Sequence, residues 1–154
     1  TAGPLVSQLR AAGVDVPVIG QEGYDGEMFI KIAGAAAEGV IITTSLDRDS
    51  TDPLAQAFIQ GFQKKSGYPA DMVSASTHTA VLVLAEAMKQ VDPSDKAALR
   101  QAIASTSINA ATGNISFNKL GEVRKSVQVQ VVRDGSWHHF AVISDPVLLA
   151  PPEE

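Results

Sequence analysis

The chain has no cysteine. That absence removes disulfides, thiolate nucleophiles and cysteine-ligated zinc together. It leaves the compartment open, because many exported bacterial proteins also lack cysteine. Aromatic residues make up only 5% of the sequence, and Tyr24, Tyr68 and Trp137 are too far apart in the chain to form a stacking platform for bases. Lys and Arg number 12, are scattered, and are outweighed to a net charge of −5. No basic stripe for nucleic acid or anionic lipid is therefore expected. No apolar run approaches the roughly 18–20 residues of a membrane span, and no signal-peptide pattern is present. The sequence opens on Thr1 rather than Met, so a removed leader or a fragment is expected. Spacings such as H-x-x-x-H, G-x-S-x-G, Walker A and G-x-G-x-x-G are missing too. No metal, no cofactor and no enzymatic activity is expected.

What is present is the composition of an ordinary globule, 45% hydrophobic and 19% charged over 154 residues. A chain of that size buries about two thirds of its unfolded surface. The stretch Val16 to Gly26 organises the reading. Val16 to Ile19 is a short apolar run that predicts a buried strand. Gly20 ends it, and a glycine-rich loop carries Glu22 away from the strand's carboxyl end. In α/β proteins ligands bind in the crevice just past the strand ends. A carboxylate there can pair with an ammonium group, coordinate a metal or act as a base. The flanking Gly20 and Gly23 allow close backbone approach. The bland alternative is a solvated loop acid.

Before that loop, Pro4, Leu5, Leu9 and Ala12 predict a helix stopped at Gly13. After it, a short helix from Glu27 to Ala33 is expected, with Met28, Ile32 and Phe29 inward. Val40 to Thr44 then predicts a strand buried on both faces of a parallel sheet. Ser45 to Asp52 is polar and suggests a crossover. Asp52-Pro53 is a helix start, and Leu54, Phe58, Ile59 and Phe62 mark its apolar face up to Gly67. Asp71 to Val91 predicts a longer helix with a stripe of Val73, Thr77, Ala80, Val81, Leu84, Met88 and Val91, widened by Leu82, Val83 and Ala87. A third helix, capped by Ser94, points Leu99, Ala102 and Ile103 inward. From Asn109 the pattern turns to β: Gly113 to Phe117, an alternating strand at Val127, Val129 and Val131, an Asp134-Gly135 hairpin turn and a return from Trp137 to Ile143. Pro146 to Glu154 is expected on the surface. The order α/β, helical, β predicts two lobes with the chain crossing between them.

His78 lies beside the apolar stripe of the longest helix, where a satisfied boundary histidine is the commoner case. His138 and His139 are neighbours in a strand, so they point to opposite faces and do not chelate one metal. Ser74, Ser76 and Thr77 near His78 lack both a strained nucleophile turn and an acid to orient the imidazole.

Four stretches, in this order, resemble the branched-chain-amino-acid type of periplasmic binding proteins, the Leu/Ile/Val-binding receptors of ABC transporters. They are Leu9 to Gly13 leading to Gly20-Gln21-Glu22-Gly23; Ile32-Ala33-Gly34 with Glu38-Gly39-Val40; Thr77-His78-Thr79-Ala80-Val81 with Leu84 and Ala87; and Thr112 to Asn118 with Gly121 and Asp134 to Trp137. The resemblance covers only the carboxyl-terminal half of such a receptor. It implies an α/β, type I periplasmic binding protein-like fold, here a fragment of a two-lobed doubly wound architecture. Residues 1–46 would be a lobe 2 segment, 47–108 the helical part of lobe 1, and 109–154 the return to lobe 2. It implies a ligand-binding component of an ABC importer, periplasmic or, in a Gram-positive source, extracellular and lipid-anchored. The implied partners are an amino acid or related small solute, a membrane permease, and the missing amino-terminal half or a second copy of the chain to cover the three central helices. Glu22 would accept hydrogen bonds from the ligand's α-ammonium, with Gly23 beside it and Tyr24 walling the cleft. His78 falls where several members place a ligand-facing tyrosine. That departure, and Thr79 in place of the usual Asp, put the preference for an aliphatic side chain in question. The alternatives are a sensor domain of the same fold and an α/β hydrolase.

Overall fold

Residues 2–149 are described by a computed structural model. Helix α1 (Ala2–Ala11) ends before Gly13, whose φ of 77° no helix continues. Its inward residues are Gly3 and the fully buried Val6, whereas the expected Leu5 is half exposed. The strand expected at Val16–Ile19 is instead the two-residue β1 (Ile19–Gly20). Val16 and Ile19 are exposed, and only Val18 packs on the core. The reason is position: among the described residues β1 pairs with a single neighbour, so it is an edge.

After a 3-10 turn at Glu22–Tyr24, α2 runs Glu27–Ala33, the bounds expected. Phe29 and Ala33 are its buried residues, while Met28 and Ile32 face outward. A second 3-10 turn (Gly34–Ala37) leads to β2 (Ile41–Thr44), with Ile42 and Thr44 buried and Ile41 and Thr43 half-buried. Strand β2 pairs parallel with β1 and antiparallel with β6 (Val127–Arg133), which pairs antiparallel with β7 (Ser136–Ile143). The sheet β1-β2-β6-β7 is thus mixed, joining residues far apart in the chain. The β6–β7 turn puts Asp134 at φ 51° and Gly135 at 70°, the left-handed pair that a tight hairpin requires.

The expected alternation in β6 is interrupted. Val129 pairs with Ala141 but Gln130 with His139, leaving Phe140 as an extra residue in β7. Across this bulge Val129 to Val132 are all buried, Gln130 included. The main core gathers Val6, Phe29, Ala37, Val40, Ile42, Val132 and Trp137, with Phe29 stacked on Trp137 at 5.7 Å between ring centres.

Between the two halves of this sheet lie three helices. In α3 (Pro53–Ser66) the Asp52 carboxylate accepts from the N–H groups of Leu54 and Ala55. Ala55 is its buried residue, and Phe58, Ile59 and Phe62 pack around Leu46, Ala70 and Ala75, with Leu54 outward. Helix α4 (Met72–Met88) starts with a reciprocal capping box between Asp71 and Ser74. Its buried residues are Ala75, Thr79, Val83 and Ala87, one every fourth position. Most of the expected stripe is the outward face, with Val73 60% exposed, Val81 59%, Leu84 41% and Met88 42%; of the residues expected to widen it, Val83 and Ala87 are buried. Helix α5 (Lys96–Ser105) is capped by Asp95 rather than Ser94, with Ala102 buried and Leu99 and Ile103 half-buried. Strands β3 (Ile108–Ala110), β4 (Gly113–Phe117) and β5 (Val123–Arg124) form a second antiparallel sheet, with β3 and β4 packed on the helices. The short helix α6 (Pro146–Leu149) has no buried residue. The rest of the expected surface tail, residues 150–154, lies outside the described residues.

Candidate functional site

The loop after β1 is built from its own side chains. The Gln21 side chain accepts from the Gly23 N–H at 3.0 Å, closing the 3-10 turn that presents Glu22. Gly20 is required by close approach: a Cβ there would stand 2.8 Å from the Tyr24 ring. Tyr24 in turn packs on Phe29 at 5.2 Å between ring centres. Its ring therefore joins the core and fixes the loop.

Glu22 is exposed at the loop's tip. Ser45, just past β2, donates from Oγ to Glu22 Oε1 at 3.1 Å, and Lys125 Nζ donates to the same Ser45 oxygen. Burial pushes the Lys125 ammonium below the ordinary lysine value, with the Glu22 charge opposing that shift. Acid, hydroxyl and ammonium thus form one short chain across three separate segments.

Beside Glu22, Asp25 carries a second network. Its side chain has no exposed surface. It accepts from Thr44 Oγ1 at 2.7 Å, from the Met72 N–H at 3.1 Å and from the Arg48 guanidinium. The Met72 N–H opens α4, where negative charge is favoured by the helix dipole. Arg48 also donates to Gln130 Oε1 at 2.7 Å, and Gln130 Nε2 reaches Asp47 at 3.3 Å. That buried glutamine explains why β6 departs from alternation: it has partners. Asp47 Oδ2 then meets His139 Nδ1 at 2.8 Å, and Asp49 Oδ2 meets His138 Nδ1 at 3.1 Å. The two imidazole rings take different carboxylates, while the His139 N–H joins the His138 ring on Asp49 Oδ2 at 2.8 Å. No cluster of three or more metal-ligating side chains occurs among the described residues.

His78 sits elsewhere. Its ring tilts over Phe58 at 5.0 Å, in a hollow shared with Phe62 and Lys65. Ser76 and Ala80, two residues to either side and so about 200° round the helix, line a different cleft that also holds Lys125. The structure brings Glu22, Gly23 and Tyr24 together in one turn and leaves His78 on the α3 side of α4. Thr79, the second departure, is buried with its hydroxyl 3.0 Å from that of Thr112. Sequence reasoning missed Asp25, Ser45 and Lys125. Asp25 carried a signal, an acid three residues after Glu22 in the same glycine-rich loop; Lys125 carried none.

The model of the family described as periplasmic binding protein matches residues 1–136. Among curated proteins, the chain is 28% identical over 122 residues to the leucine-, isoleucine-, valine-, threonine- and alanine-binding protein of Pseudomonas aeruginosa, covering 79% of this chain and 32% of that protein. It is 25% identical to the Leu/Ile/Val-binding protein of Escherichia coli, with the same coverage. A leucine-binding protein of Thermotoga maritima superposes with a TM-score of 0.86 at 28% identity, over 95% of this chain and 42% of that one. The chain spans about a third of the length of the curated relatives it matches. Its fold is that of part of a type I periplasmic binding protein, and no helix among the described residues is long and apolar enough to cross a membrane. By a family match that takes in both the Glu22 turn and strand β6, the chain belongs to the periplasmic binding protein family.

Proposed function

We propose that this chain is part of a non-enzymatic solute receptor of an ABC importer, working outside the cytoplasmic membrane, and that it binds an amino acid or related small solute between two lobes. The observation that carries the reading is Glu22. It stands at the tip of a turn whose conformation is set by Gly20, Gln21 and Tyr24, and its hydrogen-bond donor among the described residues is the neutral Ser45 hydroxyl. A carboxylate so placed can accept a charge-assisted bond from an α-ammonium, roughly twice the strength of a neutral one. The names of the relatives, which bind leucine, isoleucine and valine, support the same class of ligand.

Residues 1–46 and 109–154 are assigned to one lobe and 47–108 to the other, with β3 and β4 at the seam because they pack on α3 to α5. Gly23 permits close approach beside Glu22; Tyr24 acts by holding the turn; and His78 reaches the solute only from the α3 side of α4. The amino-terminal half of the receptor, or a second copy of the chain, covers the outward face of α4. Binding energy would then shift an open–closed equilibrium, which requires contacts from both lobes.

Calorimetry on the full-length protein, titrated with leucine, valine and polar amino acids, tests this. Glu22→Gln should keep the fold and weaken the preferred ligand about ten- to a hundredfold, the loss of one bond to a charged group. Unchanged affinity would remove Glu22 from the site.

A further inference from the structure

The two hydrophobic cores divide along the line drawn between the lobes. One gathers Val6, Phe29, Val40, Ile42 and Trp137, all from residues 1–46 and 109–154. The other sets Phe58, Ile59 and Phe62 of α3 against Ala70, Ala75 and Leu46, the last residue before the crossover. Side-chain hydrogen bonds between the two parts gather in two places. Asp47, Arg48 and Asp49 of the crossover hold Asp25, Gln130, His138 and His139, and Thr79 meets Thr112 where β3 and β4 pack on the helices. Away from both, a single hydrogen bond crosses among the described residues: the Met72 N–H donates to Asp25 Oδ2 at 3.1 Å.

Met72 opens α4, where the first N–H groups have no partner within the helix. The helix's own cap answers a different one, since the Asp71 carboxylate accepts from the Ser74 N–H at 2.8 Å. For Met72 the acceptor is the wholly buried Asp25 carboxylate, whose charge suits the positive end of a 17-residue helix. The same carboxylate also holds the Thr44 hydroxyl at 2.7 Å and the Arg48 guanidinium. It therefore keeps its place and two of its partners if the Met72 N–H moves away. A groove of about 690 Å³ opens beside the bond, with Gly26 and Met28 on one side and Tyr68, Pro69 and Asp71 on the other. The two segments thus meet at this bond with no hydrophobic core shared around it.

From this geometry we infer that Asp25 is a latch on lobe closure: its bond to the Met72 N–H forms when the lobes close and is exchanged for water when they open. The inference rests on the two-lobed reading and adds to it a residue that acts without touching the solute. Part of the apparent affinity then comes from a contact within the protein, because a ligand that selects the closed state gains from whatever stabilises that state.

Met72→Pro in the full-length protein tests the latch. Proline lacks the N–H and is favoured at the first position of a helix. It would follow Asp71 at φ −126° and ψ 176°, an extended conformation of the kind that precedes proline. Met72→Ala, which keeps the N–H and loses the side chain, is the control. Calorimetry with leucine, valine and serine finds the amino acid that binds, and small-angle scattering follows contraction with it. Met72→Pro should bind about tenfold or more weakly than Met72→Ala, the loss of one bond to a charged group, and should need correspondingly more ligand to contract. Amide exchange of Met72 in the wild type, followed by NMR, needs no variant; ligand should raise its protection about tenfold or more. Met72→Pro matching Met72→Ala, or a Met72 amide equally protected with and without ligand, would remove the latch and leave the two-lobed reading standing. A wild type that binds none of these amino acids, or binds without contracting, would overturn that reading and the latch with it. If circular dichroism finds Met72→Pro unfolded, the amide exchange decides alone.

Discussion

Replacing Asp25 by Ala is the sharpest perturbation the fold offers. The carboxylate is wholly buried and answers three donors: the Thr44 hydroxyl, the first N–H of α4 and the Arg48 guanidinium. Removing one member of a buried pair typically destabilises by about 3–5 kcal/mol, because the surviving charge is left without a partner. The Arg48 side chain is 18% exposed, so water reaches it in the variant and the lower end applies, about 3 kcal/mol. The two lost acceptors add to this without summing independently. For a chain of this length each 1 kcal/mol moves the midpoint by about 2–4 °C, giving a fall of roughly 6–12 °C. Urea unfolding at neutral pH, followed by circular dichroism, measures it, and a cycle with Arg48→Met isolates the pair. Asp25→Asn should fall between Ala and wild type, since it keeps an acceptor for Thr44 and loses the charge. A cost below about 1 kcal/mol for Asp25→Ala, with no coupling to Arg48, would refute the claim that the buried Asp25 carboxylate ties its loop to the Arg48 segment after β2.

Two further outcomes follow from the same contacts. Burial pushes the Asp49 carboxyl up, but the His139 N–H, the His138 ring and the charges of both histidines together outweigh it and hold the group below the ordinary aspartate value of 3.8. A depressed carboxyl contributes stability that is present above its unfolded value and is lost as pH falls through the folded one. The stability advantage of wild type over Asp49→Asn should therefore shrink below about pH 4. It should not exceed about 1 kcal/mol, since the side chain is 43% exposed and screened; a difference constant from pH 7 to pH 3 would contradict the assignment. The outward apolar face of α4 should make the isolated chain associate at micromolar concentration in light scattering, with Val81→Glu returning it toward monomer. A monodisperse wild-type monomer would show that this face needs no cover.

Much of the element order could be read from residues whose physics is local. Glu27–Ala33, the Asp52-Pro53 start and the Asp134-Gly135 turn depend on neighbours within a few positions, and the structure has them where they were expected. Helix faces were not legible. In α4 apolar side chains run nearly all round, so periodicity alone does not say which side meets a neighbour; close packing selects the small residues Ala75, Thr79 and Ala87. The Val16–Ile19 strand failed for a similar reason, since hydrophobicity marks what can be buried and not what is. At the site, the Glu22 turn was visible because Gly20, Gly23 and Gly26 fall within seven residues of one another. Lys125 was not, because its contact with Ser45 spans 80 residues of sequence and no spacing rule reaches that far.

Because the Tyr24 ring fills the space beneath Gly20 and leans on Phe29, the turn that carries Glu22 has no separate freedom of its own. Its position is settled when the core folds, so little conformational entropy remains to be lost when a ligand arrives. The same economy narrows how the protein can change. A new ligand preference has to come from side chains set on this turn or facing it, since moving the turn means repacking an aromatic cluster. Substitutions at Phe29 or Trp137, neither of which touches Glu22, would then register first as weakened binding in a protein still folded.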